Sequence, residues 1–177
     1  PRLRAGIVVP YEDAALAAAE IDRAAAHPGF VQVLLLVRTD EPLGRRRYRP
    51  IFEAAARNGL PVGIHFGGGR GRNPLTASGW PSFYVEDHTA MVQAFQAQVV
   101  SLVVEGVFEE LPELRVVLIE GGFGWLPSLM WRMDKHWTRL ADEVPHLTRP
   151  PSAYVREHFW VTTQPVEEPP DPHHLLA

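Results

Sequence analysis

The sequence predicts an α/β chain built on a parallel sheet. Short apolar runs alternate with helical patterns along the whole length, and the runs end in loop residues able to do chemistry. No segment shows an internal repeat or a low-complexity tract. This alternation is the signature of strand–helix–strand units with crossover connections. A doubly wound sheet and a (β/α) barrel share it. The glycine cluster at 67–71 lacks the G-x-G-x-x-G spacing and runs into loop, not helix, which weakens a dinucleotide site.

The elements follow in order. Residues 3–9 form the first strand candidate, stopped by Pro10. A helix is expected over 13–27, with Asp13 as N-cap and Pro28-Gly29 as its stop. The run 30–37 is almost purely apolar, the pattern of a strand covered on both faces. A charged loop (38–47) leads to a helix over 48–58, closed by Gly59, and to a third strand over 60–66. Residues 70–86 form an irregular insertion carrying Trp80, Phe83 and Tyr84; loops of such length in compact domains commonly serve function. A long helix is then expected over 87–110, from the spacing of Met91, Phe95, Val99, Leu102 and Val103. The fourth strand (114–119) meets Glu120-Gly121-Gly122, a helix follows over 125–142, a short one over 152–157, and a fifth strand over 159–163.

Composition narrows the function classes. The chain has 177 residues, 46% hydrophobic and 21% charged, enough for a real core in one domain. Its net charge of -4 gives no sign of a nucleic-acid partner, which calls for a basic face. No apolar run reaches the roughly 18 residues of a membrane span, so no membrane partner is expected. The absence of cysteine excludes disulfides, thiolate metal sites and a cysteine nucleophile. No signal-peptide pattern opens the chain, and a cytoplasmic location is the expectation. The chain begins at Pro1 and ends in mid-pattern at Ala177, as a segment cut at both ends would.

In parallel α/β folds functional groups gather at the C-terminal ends of the strands. Those ends carry Tyr11, then Arg38 and Asp40, then His65, Glu120 and Gln164. His65 can offer a neutral ring nitrogen to a metal, or can be a half-buried histidine bonded to a backbone carbonyl. Glu120 can be a ligand, a general base or a partner for a substrate hydroxyl; otherwise it pairs with Arg38 or with an arginine of 45–47. Arg38 can grip a substrate carboxylate or form a loop salt bridge; His88 can face the same mouth, or its neighbours can cap the next helix. Trp125, Trp131 and Trp137 read as core and subunit-contact residues. His173-His174 has no third ligand near it in sequence and is assigned no site.

Two phrases carry a family likeness. Leu60-Pro61-Val62-Gly63-Ile64-His65, after the helix bearing Pro50-Ile51-Phe52-Glu53, resembles the fifth-strand region of the amidohydrolase-related proteins, in the branch of the aminocarboxymuconate semialdehyde decarboxylase type. Leu114-Arg115-Val116-Val117-Leu118-Ile119-Glu120-Gly121-Gly122, followed by Trp125-Leu126-Pro127, resembles their sixth strand and the helix after it.

The resemblance implies a partial (β/α)8 TIM barrel whose strands correspond to the third to seventh, residues 1–177 forming one barrel domain incomplete at both ends. It implies a divalent metal ion, zinc by expectation, with His65 as the fifth-strand ligand. In this family the first strand supplies a His-x-His or similar pair and the eighth an aspartate, and the chain contains no His-x-His. The sixth-strand position, often histidine in the decarboxylases, is Glu120 here, which keeps a proton-carrying or ligand role open. The expected activity of the complete protein is hydrolysis of a C–N or C–O bond, or non-oxidative decarboxylation of an unsaturated or aromatic acid. Glu120 would be catalytic, His65 a metal ligand, and Arg38 and His88 would bind the small-molecule substrate, in a possible homo-oligomer. The rival expectations are a non-catalytic barrel fragment with a structural or subunit-contact role, and a metal-free lyase on the same barrel.

Overall fold

A computed structural model describes residues 2–69, 73–164 and 171. Five parallel strands, β1 (Ala5–Val8), β2 (Phe30–Arg38), β3 (Val62–Gly68), β4 (Val116–Ile119) and β5 (Phe159–Val161), form one sheet. Their spatial order is β1-β2-β3-β4-β5, the order of the chain. A doubly wound sheet reverses direction at a switch point; a strictly sequential order is that of a barrel arc. The open choice between the two architectures is thereby settled in favour of the barrel type.

The register explains which residues are buried. Val33, Val62, Val116 and Phe159 stand in one row across the sheet, and Leu35, Ile64, Leu118 and Val161 in the next. Apart from half-buried Val161, all of these are buried, on the face covered by helices. Each fully buried aliphatic side chain stabilises the fold by roughly 1.5–3 kcal/mol, so these rows form the main core. The alternate rows, Leu34–Gly63–Val117–Trp160 and Leu36–His65–Ile119, lie on the opposite face. There Leu34, Leu36 and Val117 are only half-buried, and Trp160 and Val8 are exposed. The expectation that 30–37 is covered on both faces is therefore corrected: helices cover one face, and the described residues leave the other partly open. An apolar run signals the chemistry of both faces but not whether the covering layer lies within the same segment.

Among the described residues, six α-helices accompany the strands. Helix α1 (Ala14–Ala25) starts where Asp13 accepts a hydrogen bond from the Leu16 N–H. It packs on α2 (Arg49–Arg57), with Arg57 and Asn58 bonded to Asp22. Helix α3 runs from Tyr84 to Val104, so it begins three residues before the sequence expectation. The Glu86 carboxylate accepts from the Ser82 and Phe83 N–H groups, satisfying donors that a helix start would otherwise leave open. The same helix stops short of 110 because Gly106 takes φ 72, and a separate turn, α4 (Val107–Glu110), follows. Helices α5 (Leu126–Leu140) and α6 (Pro151–His158) pack on each other ahead of β5.

Gln98 of α3 is the buried polar link between helix and sheet. Its amide accepts from the Leu43 N–H and donates to the Val37 carbonyl and the Thr39 hydroxyl. The loop after β2 is thereby held at the end of the sheet where the strands deliver their functional residues. No helix among the described residues is long and apolar enough to cross a membrane.

Candidate active site

His65 and Glu120 meet at the C-terminal ends of neighbouring strands. The register sets Ile119 opposite His65, so Glu120 follows as the first residue beyond the ladder. His65 Nε2 and Glu120 Oε2 are 3.6 Å apart, with the two side chains 34% and 52% exposed. His65 Nδ1 lies 2.7 Å from the Phe66 carbonyl oxygen. A carbonyl only accepts, so Nδ1 carries the proton and the neutral ring keeps its free lone pair on Nε2. Two lone-pair atoms then face each other, an arrangement that a proton or a cation between them stabilises.

That geometry fits one edge of a metal centre. Two donors of a tetrahedral ion at about 2.1 Å each stand about 3.4 Å apart, close to the observed separation. The set remains short of the usual three or four protein ligands. Among the described residues, no group of three or more histidine, cysteine, aspartate or glutamate side chains is gathered closely enough to hold a metal ion.

Glu120 is held in an unusual backbone conformation. Its φ of 59° makes it the one non-glycine residue with positive φ among the described residues. Such positions cluster at functional sites because a folded surrounding must over-determine them. The Glu120 N–H donates to Thr162 Oγ1 at 3.0 Å, the Thr162 N–H donates to the Leu118 carbonyl at 3.0 Å, and the Thr162 hydroxyl donates to the Gln164 carbonyl at 3.3 Å. On the other side Gly121 lies flat on Phe95: a Cβ there would come within 2.8 Å of the ring. Trp125 Nε1 donates to the Gly121 carbonyl at 2.8 Å.

Beside the pair opens a cavity of about 510 Å³ lined by Phe66, His88, Met91, Glu120, Gly121 and Gln164, among others. Its volume is that of a small-molecule site, typically about 300–1,000 Å³. The His88 ring stands edge-on to Phe66 with centroids 5.0 Å apart, and its Nδ1 is 3.3 Å from the Tyr84 hydroxyl. The cavity wall thus brings together Glu120, His88 and Gln164 of the fifth strand end, and His65 joins them through its approach to Glu120.

Arg38 sits apart from this group. Its Nη2 donates to Asp87 Oδ1 at 2.5 Å and to the Leu75 carbonyl at 3.0 Å, and both charged side chains are largely buried. Arg38 lines a different cavity of about 290 Å³ with Asp40, Asn73 and Gln93. One arm of its guanidinium is therefore engaged within the fold. Glu120 pairs with none of the arginines considered for it: Arg45 bonds Glu105 and Arg47 bonds Glu41. His173 and His174 lie outside the described residues, as does part of the insertion at 70–72.

Asp87 and Thr162 are the site-supporting residues that sequence reading missed. Asp87 stands in the Glu86-Asp87-His88 phrase and reads as a helix-start residue; nothing local points to Arg38. Thr162 follows the last strand, where a hydroxyl is ordinary.

The comparisons with known proteins agree with this architecture. The amidohydrolase family profile matches residues 1–177. The gamma-resorcylate decarboxylase of Rhodococcus jostii (strain RHA1) is 30% identical over 92% of this chain and 52% of its own length. That of Rhizobium sp. (strain MTP-10005) is 28% identical over 92% of this chain and 51% of its own. A solved 2,6-dihydroxybenzoate decarboxylase in complex with 2,6-dihydroxybenzoate superimposes with a TM-score of 0.70 at 27% identity, over 92% of this chain and 52% of that one. An amidohydrolase of Mycobacterium avium subsp. paratuberculosis K-10 gives 0.72 at 26% identity, over 88% and 40%. The chain spans about half the length of the curated relatives it matches. With a profile match along its whole length and a sequential parallel sheet of the same build, the chain belongs to the amidohydrolase family.

Proposed function

We propose that the protein carrying this chain is a metal-dependent, non-oxidative decarboxylase of an aromatic hydroxy acid. The observation that carries the reading is the His65–Glu120 pair, set 3.6 Å apart on adjacent strand ends at the mouth of a cavity of ligand size. The decarboxylase relatives supply the substrate class.

His65, through Nε2, is the residue of this chain that would hold one divalent ion, zinc being the expectation from the family likeness, and Glu120 stands beside it as the proton carrier. When bound, such an ion acts as a Lewis acid toward a substrate oxygen. The remaining steps belong to this chain. Phe66 and His88 present ring faces and edges against which an aromatic substrate packs, and Gln164 offers polar groups to its hydroxyls. Glu120, in its carboxylic acid form, delivers a proton to the ring carbon that bears the carboxylate. As the bond to that carboxylate breaks, its electron pair forms the new C–H bond and carbon dioxide leaves. Glu120 is half exposed, so it regains its proton from solvent.

The test is carbon dioxide release from 2,6-dihydroxybenzoate by the full-length protein and its Glu120→Gln variant. Glutamine keeps the shape and loses the proton, so kcat should fall by about 10²-fold or more. A Gln variant with full activity, or an enzyme that hydrolyses amides and leaves aromatic acids untouched, would overturn the proposal.

A further inference from the structure

Strand β4 ends with a problem that the backbone alone does not solve. The β4–β5 ladder pairs Val116 with Phe159, Val117 with Trp160 and Leu118 with Val161. One step further the chain turns at Glu120 into the left-handed region, where the Cβ of a non-glycine residue crowds its own backbone. The turn also takes the Glu120 N–H out of the regular ladder, yet the group needs an acceptor.

Thr162 supplies it. The Thr162 N–H stays in the ladder by donating to the Leu118 carbonyl, which fixes where the side chain stands. Its hydroxyl hydrogen goes to the Gln164 carbonyl at 3.3 Å, and that direction leaves a lone pair for the Glu120 N–H at 3.0 Å. The hydroxyl replaces a backbone carbonyl as the next acceptor, so β4 turns sharply with its amide satisfied.

The geometry points to Thr162 as a positioning residue for Glu120. By holding the Glu120 backbone at φ 59, it sets the carboxylate at the cavity mouth opposite His65 Nε2 and not along the extended path of the strand. The Gly121 contact with Phe95 and the Trp125 bond to the Gly121 carbonyl fix the residue after the turn. Among the described residues, Thr162 alone accepts from the amide at the turn itself. The same hydroxyl also meets the backbone carbonyl of Gln164, whose side chain is left to the cavity. This assignment rests on the reading of Glu120 as proton carrier.

The experiment compares Thr162→Val and Thr162→Ser in the full-length protein. Valine keeps the volume and β-branching and removes the hydroxyl; serine keeps the hydroxyl. The readouts are kcat and KM for 2,6-dihydroxybenzoate at matched metal content, and the backbone at residue 120 in crystals of each variant. Thr162→Val should lose about tenfold or more in kcat with KM changed less than about twofold. Residue 120 should leave the left-handed region in its crystals, and Thr162→Ser should restore both. Wild-type kcat with an unmoved residue 120 in Thr162→Val overturns the assignment, as does a serine variant no better than valine. Full activity in Glu120→Gln would remove the proton-carrier reading. In that case the position of residue 120 in Thr162→Val still decides whether Thr162 holds it.

Discussion

Glu120 should be a residue whose replacement by glycine spares the fold and abolishes the chemistry. A non-glycine residue in the left-handed region loses about 1–2 kcal/mol against a relaxed one, and Glu120 sits there at φ 59. Glycine removes that strain and adds unfolded-state freedom worth about 0.4–1 kcal/mol in the opposite sense. The carboxylate itself contributes little, because its neighbour His65 is 3.6 Å away at a half-exposed site and such pairs are worth about 0–1 kcal/mol. Glu120→Gly should therefore match the wild type or exceed it by up to about 1 kcal/mol. Glu120→Ala keeps the strain and loses the carboxylate, so glycine should be more stable than alanine by about 1 kcal/mol. Urea denaturation of the three proteins reads this difference directly, and both variants should lack decarboxylation. A glycine variant less stable than the alanine variant would refute the strain argument. It would mean that the turn at β4 is comfortable for any residue and that its conformation carries no functional signal.

Two further outcomes concern the frame around the site. Burial and the hydrogen bond to Glu12 push the Tyr48 phenol up to about 12 from its ordinary 10.0. A raised folded value means that this stabilisation is complete below pH 10 and is lost as pH rises toward about 12. Tyr48→Phe should flatten alkaline unfolding in that window and cost about 1–3 kcal/mol at neutral pH, because the Glu12 carboxylate loses a buried donor; an unchanged alkaline profile would contradict this. Glu109 Oε1 accepts from the Tyr154 hydroxyl and from the Thr148 N–H and hydroxyl, which holds its carboxyl below the ordinary 4.5. A depressed folded value gives stability that is present above pH 4.5 and lost as pH falls through the lower folded value. Glu109→Gln should therefore weaken the acid dependence of stability below that pH, as read by urea titrations at several pH values.

The strands were legible because each is an apolar run of strand length ended by a breaker or by polar residues, and the register follows once the runs lie parallel. The start of α1 was legible from Asp13, a cap whose bond reaches only three residues. The start of α3 was not, because its cap is the Glu86 carboxylate folding back onto Ser82 and Phe83. Sequence spacing suggests such a contact but does not require it. The break at Gly106 hid inside an unbroken apolar period. At the site, the strand-end rule placed His65 and Glu120 together, since neighbouring parallel strands in register deliver their last residues to one place. The Arg38–Asp87 pair was beyond reach, its members separated by 49 residues and joined only when α3 packs over the end of β2. The Thr162 bond to Glu120 spans 42 residues for the same reason. Local patterns reveal where side chains emerge, and tertiary packing decides which of them are already spoken for.

In the proposed function His65 Nε2 serves a metal on which activity depends, and one paired measurement tests it. Metal content by elemental analysis and carbon dioxide release from 2,6-dihydroxybenzoate are read on the same preparations of the full-length protein and its His65→Ala variant. Metal and activity should fall together while the fold persists, because His65 is half-buried and its one described hydrogen bond is to a neighbouring carbonyl. A His65→Ala protein that retains its full complement of metal would contradict it.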